Sequence, residues 1–391
     1  MQRHKDKIRL GLLISVWLFT GCITEYYALL PLTDSQVLAV DGHIVANSEV
    51  TFFISESFSL ESPNIPNESY VNNAILTIIG SNGYQSSPAI NQGKGNYQIQ
   101  VGELDDDVEY GIEIQYNGDI YRSALSKPLY TPEIDSVMWV QPENYGDIYF
   151  HVSTHNDTIG SRFYAWSYTE DWEFCAAIPT RIFFNPISET YSTTDSARDL
   201  YCWKKNKSKR FVFGTAESLT ENRIINQQLH RYDISSSNND DRFSLLYCIT
   251  VYQQTISKEF YEYYQNVKRI NEEMGGLFTP QPSEFIGNIS CITNPEKKVL
   301  GYIHVNKNTT LKRTFVYPEE LVIASQAPQC GTISHKLVDP VDFYRMGYRP
   351  AGDADPECYP KIIPKGWSAA SCTDCTVIST QKKPDFWPNN H

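Results

Sequence analysis

The sequence predicts a mainly β protein: an N-terminal immunoglobulin-like β-sandwich, then a larger disulfide-bonded β-rich domain with one packed helix. Three observations carry this. Tyr (26) and Phe (18) are abundant while Met (4) is scarce, and aromatic residues suit the pleated, half-buried surface of a sheet. Short apolar runs alternate with Ser, Thr, Asn and Gly turns. The cysteines other than Cys22 all follow residue 170, so the first domain has no staples and the second does.

The first elements are not part of either domain. Arg3, Lys5, Lys7 and Arg9 precede the apolar run Leu10–Phe19, then Thr20, Gly21 and Cys22. A basic segment, a short apolar segment and small residues are the anatomy of a secretory signal. Spanning a bilayer takes about twenty apolar residues, twice what this run offers. Thr20-Gly21-Cys22 resembles a lipobox, which makes residues 1–21 a lipoprotein signal peptide, Cys22 the lipid attachment residue and 22–34 a linker. Several acyl chains at about 0.8 kcal/mol per buried methylene would hold such a protein on a membrane.

From Val37 the chain reads VLAVDGHI, VTFFISES, AILTIIG, NYQIQV and VEYGIEIQY, then Asn117-Gly118 and DIYRS. These are β-type runs between polar turns, and Asn-Gly between two of them is a strong hairpin signal. Roughly seven strands in this span suggest a sandwich over 35–131. Two prolines in Lys127-Pro-Leu-Tyr-Thr-Pro132 break the pattern, which sets a boundary before a second domain, 132–391. There, Ser257 can cap a helix over 257–274 in which Phe260, Tyr264, Val267, Ile270 and Met274 share a face, and Gly275-Gly276 ends it.

Cysteine arithmetic in an exported chain points to disulfides. Cys175, Cys202, Cys248, Cys291, Cys330, Cys358, Cys372 and Cys375 allow 105 pairings, so sequence does not fix the connectivity. All eight are expected to be oxidised, Cys175 with Cys202 and the last four among themselves. Cys372-Thr-Asp-Cys375 has no second pair at zinc-ribbon spacing, which argues against a metal.

Charge and motifs exclude more than they assign. The net charge of −13, with no Lys/Arg stripe, argues against nucleic acid as a partner. Nucleophile-elbow, zincin and P-loop patterns are absent, and no catalytic residue, cofactor or metal is expected. His151 and His155 have the i, i+4 spacing of a helical metal pair, yet lie in a strand-like segment where that spacing spans about 13 Å. The acidic clusters Glu103–Asp107 and Gly352–Glu357 do not match a calcium loop and read as solvated turns.

VLAVDGHI, IQYNGDIYRS with TPEIDSV, YAWSY, LYCW, Gly287-Asn-Ile289 leading to Val299-Leu-Gly-Tyr302, and the closing CTDCTVISTQKKPDFW together resemble one family. It is the Bacteroidetes outer-membrane lipoprotein family catalogued as domain of unknown function 4249. The resemblance implies an outer-membrane, lipid-anchored, cell-surface protein, although Glu25 is the only acidic residue just after Cys22. It also implies a TonB-dependent β-barrel as partner and a non-enzymatic accessory role in substrate capture or complex assembly. The alternatives are a surface enzyme acting on peptide or glycan and an adhesive binding module. Trp166, Tyr168 and Trp172 of YAWSYTEDW, with Phe386 and Trp387 of the tail, are the candidate interface aromatics. Ser136, Thr158 and Ser196 each follow Asp, which resembles the O-glycosylation sequon of exported Bacteroidetes proteins.

Overall fold

The computed structural model describes residues 37–57, 67–158, 160–178, 180–193, 201–234, 240–273, 287–323, 330–337, 339–358, 360–380 and 382–388. The signal segment, Cys22, Ser196 and Gly275-Gly276 lie outside them. The chain is mainly β, 47% strand and 12% helical.

The first sandwich packs two sheets face to face. One runs, in spatial order, Val299–Leu300, Leu38–Asp41, Glu49–Glu56, Asn96–Gln100, Ile90–Gly93; the other runs Ile289–Cys291, Asp119–Ser123, Tyr110–Tyr116, Ile75–Gly80. Alternation puts Val40, Phe52 and Ile54 of one sheet and Leu76, Ile78, Ile112 and Ile114 of the other into a shared core. That two-layer arrangement is immunoglobulin-like. The Asn117-Gly118 hairpin forms as its residues require, with both φ values positive (48° and 83°), the geometry of a type I′ turn.

A boundary at 131/132 assigns everything later to the second domain, and here the pairing differs. Ile289–Cys291 extends the first sandwich antiparallel to Asp119–Ser123, while Val299–Leu300 and Val305–Asn306 add in parallel to Leu38–Ala39 and Ile44–Val45. Ile303 and Val305 enter the first core. Gly287 and Gly301 are needed for this: a Cβ on Gly287 would strike the Gly301 carbonyl, and one on Gly301 the Val40 carbonyl. The Gly287-to-Tyr302 segment is thus a backbone-close strap returning to the first sandwich.

The second sandwich is built on Phe163–Cys175. It lies between Leu246–Ile256 and Tyr201–Lys207, with Thr310–Val316 beyond and Val212–Thr215 pairing its first half. Ile134–Val140, Ile148–His155 and Arg223–Tyr232 form the facing sheet. Trp166, Trp172, Phe150, Tyr247 and Val251 fill the space between. Gln253 joins the layers, accepting from Trp166 Nε1 (2.7 Å) and donating to Pro132 O (2.8 Å). The helix spans Lys258–Glu273, and Ser257 Oγ accepts from Phe260 N (3.1 Å) as an N-cap. Its Phe260 and Tyr264 pack with Phe163, Ala165 and Phe213 on the outer face of the long strand.

A third, smaller layer holds the C-terminal region. Ile333–Ser334, Pro364–Ala369 and Tyr348–Ala354 form a sheet, and Trp367 packs against Phe184 and Tyr191 of the Ile182–Asn185/Thr190–Thr193 hairpin. Two disulfides tie it down, Cys202–Cys375 and Cys330–Cys372. The expected Cys175–Cys202 bridge is replaced because Cys202 stands opposite Phe174, and Cys175 opposite Tyr201. With a one-residue offset, the two thiols point to opposite faces of the sheet. Cys175, Cys248, Cys291 and Cys358 are free thiols. Cys248 is buried against Trp387, and Cys291 lies on the edge strand of the first sandwich.

Candidate functional site

In the long strand, Tyr164, Trp166, Tyr168, Glu170, Trp172 and Phe174 alternate onto one face, so the period of two carries a carboxylate into an otherwise aromatic row. Glu170 is 1% exposed. A buried carboxylate must be bonded or paired, and this one is both. Tyr247 OH donates to its Oε1 (2.9 Å) and Asn206 Nδ2 to its Oε2 (2.6 Å). Arg242 Nε lies 3.7 Å and His230 Nε2 3.8 Å from Oε1.

Arg242 is the hub of the charge pattern. It bonds Asp240 (3.1 Å) and stacks over Trp172 (4.9 Å) and Tyr232 (5.2 Å). Burial opposes its charge, but Glu170 and Asp240 outweigh that and raise its pKa. Burial, aided by Arg242 and opposed by Glu170, lowers the pKa of His230. The Tyr168 hydroxyl and His230 Nδ1 share a hydrogen bond of 2.9 Å. Burial and the Glu170 charge push the Tyr168 phenol up to about 12, keeping its proton in place.

Tyr168, Glu170, His230 and Arg242 form the floor of an open cleft of 660 Å³. Its rim is the turn Asn206-Lys-Ser-Lys-Arg-Phe211, with Arg231 and Asp233 opposite. Five cations (Lys207, Lys209, Arg210, Arg231, Arg242) face three carboxylates (Glu170, Asp233, Asp240), an inversion of the chain's overall acidity. Arg231 is held by Asp147 (2.6 Å), whereas Lys207, Lys209 and Arg210 are exposed. The cleft can therefore bind an anionic group near desolvated aromatics, where charge attraction exceeds its value in open water.

Phe211 also borders a second, more apolar cavity of 280 Å³, lined by Phe53, Phe260, Tyr263, Tyr264, Val267 and Tyr302. At its base His43 and His304 stack (centroids 5.1 Å, 9° between planes). Gln254 bridges them, donating to His43 Nε2 (2.8 Å) and accepting from His304 Nε2 (3.1 Å). A third cleft, of 450 Å³, opens between Ile182–Phe184, Tyr344, Arg349 and Asp374.

The sequence candidates are distributed unevenly over this geometry. Of the three candidates on the long strand, Trp166 and Trp172 are core, 0% and 6% exposed, and Tyr168 lines the cleft. Trp387 is also buried: it packs with Leu246 and Cys248, stacks edge-on against Phe315 and donates Nε1 to Glu173 (3.0 Å). Phe386 lies half-buried under Arg313 (4.1 Å). The tail aromatics are occupied by their own domain. Ser136 is half-buried in the middle of Ile134–Val140, while Thr158 is exposed in a turn, bonded to Asn156. His155 pairs with Asp135 (2.6 Å) rather than with His151. Asp106 and Asp107 of the first acidic cluster bind Lys307 (2.8 Å) and Lys127 (3.4 Å). The floor residues Glu170, His230 and Arg242, and Tyr247 behind them, are absent from the sequence candidates. A glutamate in phase with Tyr164, Trp166 and Trp172 is the signal that could have found them.

A profile named Domain of unknown function (DUF4249) matches residues 23–312, and the chain belongs to that family. No curated protein matches it in sequence. Among solved structures it is similar to the crystal structure of chicken CNTN1 FN1-FN3 domains, at 12% identity and a TM-score of 0.21, covering 56% of this chain. This chain spans 60% of the length of that one.

Proposed function

We propose that this protein is a non-enzymatic, lipid-anchored outer-membrane accessory subunit of a TonB-dependent receptor, and that it captures an anionic peptide or glycan in the Glu170/Arg242 cleft. The observation that carries the binding role is the excess of cations around that cleft in a chain of net charge −13. A low-dielectric floor with a cationic rim concentrates anionic ligands and speeds their arrival. Aromatic faces at Tyr168, Tyr232 and Phe211 offer stacking area for a sugar or side chain. The lipobox-like Thr20-Gly21-Cys22 and the family resemblance support the anchor and the barrel partner; Cys22 would carry the lipid.

Binding of oligogalacturonate and of poly-glutamate, each against a neutral counterpart, tests the ligand class. The expected result is salt-sensitive binding of at least one acidic polymer, lost by about tenfold or more in Lys209→Glu/Arg210→Glu, which leaves the floor intact. Equal affinity for neutral and acidic polymers would remove the reading.

A further inference from the structure

The geometry points to a transition-metal site, of the kind that takes Zn²⁺, formed by His335, Asp355 and Cys358. One imidazole nitrogen, one carboxylate oxygen and the thiol sulfur all lie within 4.8 Å of one another. The inference is independent of the cleft and of the proposed partner.

Two short turns bring the ligands together. His335 opens the turn His335–Leu337 directly after the edge strand Ile333–Ser334. Asp355 and Cys358 are three residues apart, across the turn Pro356–Cys358, with Cys358 N donating to Asp355 O (3.1 Å). That spacing is the one C-x-x-C motifs use to aim two ligands at one ion. Lys336 and Glu357 (2.7 Å) join the turns, and Asp355 N donates to Ile363 O (2.7 Å). The imidazole is oriented as a ligand should be. Its Nδ1 faces Lys365 O (3.4 Å) and Asp355 Oδ2 (3.5 Å), which leaves Nε2 directed at Cys358 Sγ (3.7 Å). In a tetrahedral zinc site with bonds of about 2.0 Å to nitrogen and 2.3 Å to sulfur, those two atoms stand about 3.5 Å apart. The carboxylate, which lies within 4.8 Å of the other ligand atoms and now faces Nδ1, must turn toward the Nε2 side to bond the ion.

The thiol supplies a second argument. Cys330–Cys372 and Cys202–Cys375 are closed in the same region, yet Cys358 is a partly exposed free thiol. A coordinated thiolate resists the oxidation that claims its neighbours. Sulfur and imidazole select zinc or another borderline divalent ion over calcium and magnesium. With three protein ligands, the fourth position would hold water, and binding would release the thiol proton.

The test uses the intact protein, stripped with chelator, and zinc alone as probe. Iodoacetamide labelling, read by mass spectrometry, is expected to slow at Cys358 by tenfold or more when one equivalent of Zn²⁺ is added. The rate at exposed Cys175 should stay the same. Cobalt in place of zinc should give thiolate-to-metal charge-transfer absorption, abolished in Cys358→Ser and weakened in Asp355→Asn. Unchanged labelling of Cys358 under zinc, or a cobalt spectrum that survives Cys358→Ser, would overturn the assignment.

Discussion

Glu170 shows how one side chain can decide a region. Its carboxylate sits on the core face of the second sandwich, and Tyr247, Asn206, Arg242 and His230 are arranged around it. Removing it leaves Arg242 without its buried counter-charge and Tyr247 without its acceptor. Glu170→Ala is therefore expected to cost roughly 3 kcal/mol in urea unfolding, the range for breaking one side of a buried ion pair. A change below about 1 kcal/mol would mean that solvent already screens the group. The stacked histidines give a second residue-scale prediction. Burial, aided by the Lys207 charge, lowers His43 to about 4, and burial beside His43 carries His304 well below its ordinary value. Unfolded histidine titrates near 6.5, so between about 6.5 and 4 the unfolded chain binds more protons than the folded one. Stability is then nearly unaffected above pH 7 and falls as the pH drops through that window, for His43 alone by roughly 2 kcal/mol at pH 5 and about 3 kcal/mol at pH 4. Denaturation midpoints at pH 7 and pH 5 check this, and His43→Phe should reduce the difference, leaving the share of buried His304.

Among the elements, the C-terminal tail and the disulfides carry the clearest consequences. Lys383–Trp387 ends a polar stretch, and its Trp387 fills a slot on the strand Leu246–Ile256. Truncation after Gln381 is expected to destabilise the isolated protein by about 3 to 5 kcal/mol, as for other buried aromatics; an unchanged melting temperature would contradict it. Thiol counting tests the bridges. Beyond Cys22, four thiols should react under denaturing conditions. In the native protein Cys248 and Cys291, both buried, should be the slow ones, and burial also pushes the Cys248 thiol up to about 12. These elements also show where sequence reading stops. Alternation and Asn117-Gly118 made the first sandwich legible, because both signals act within a few residues. Ser257 and the apolar face did the same for the helix. The return of Gly287–Asn306 to the first sandwich was not legible, because parallel pairing with Leu38 and Ile44 is a contact across more than 250 residues with no local signature. Cys202–Cys375 was hidden for a related reason: strand register decides which face a thiol takes, and register is a property of the pair. The cleft was half legible, through YAWSYTEDW, but its partners His230 and Arg242 come from other strands and loops.

For the whole molecule, two sandwiches are joined by a short hydrogen-bonded region. Thr131 N donates to Asn308 Oδ1 (2.9 Å), Thr255 N to Thr131 Oγ1 (3.1 Å), and Asn306 Nδ2 to Thr255 O (2.7 Å). These bonds tie the two sandwiches together, while Thr255 Oγ1 and Asn306 Oδ1 are buried with no partner among the described residues. The turn Asn206–Phe211 is then presented from a firm scaffold, between a polar cleft and an aromatic one, as a capture surface requires. The central claim is that this surface serves a TonB-dependent receptor at the outer membrane. It is tested most directly by mild-detergent purification of the tagged, full-length protein from native membranes, with the copurifying chains identified by mass spectrometry. The account predicts a TonB-dependent β-barrel in near-equal amount, retained at the salt concentrations that release acidic ligand from the cleft. Recovery of the protein alone, from membranes in which such barrels are expressed, would contradict it.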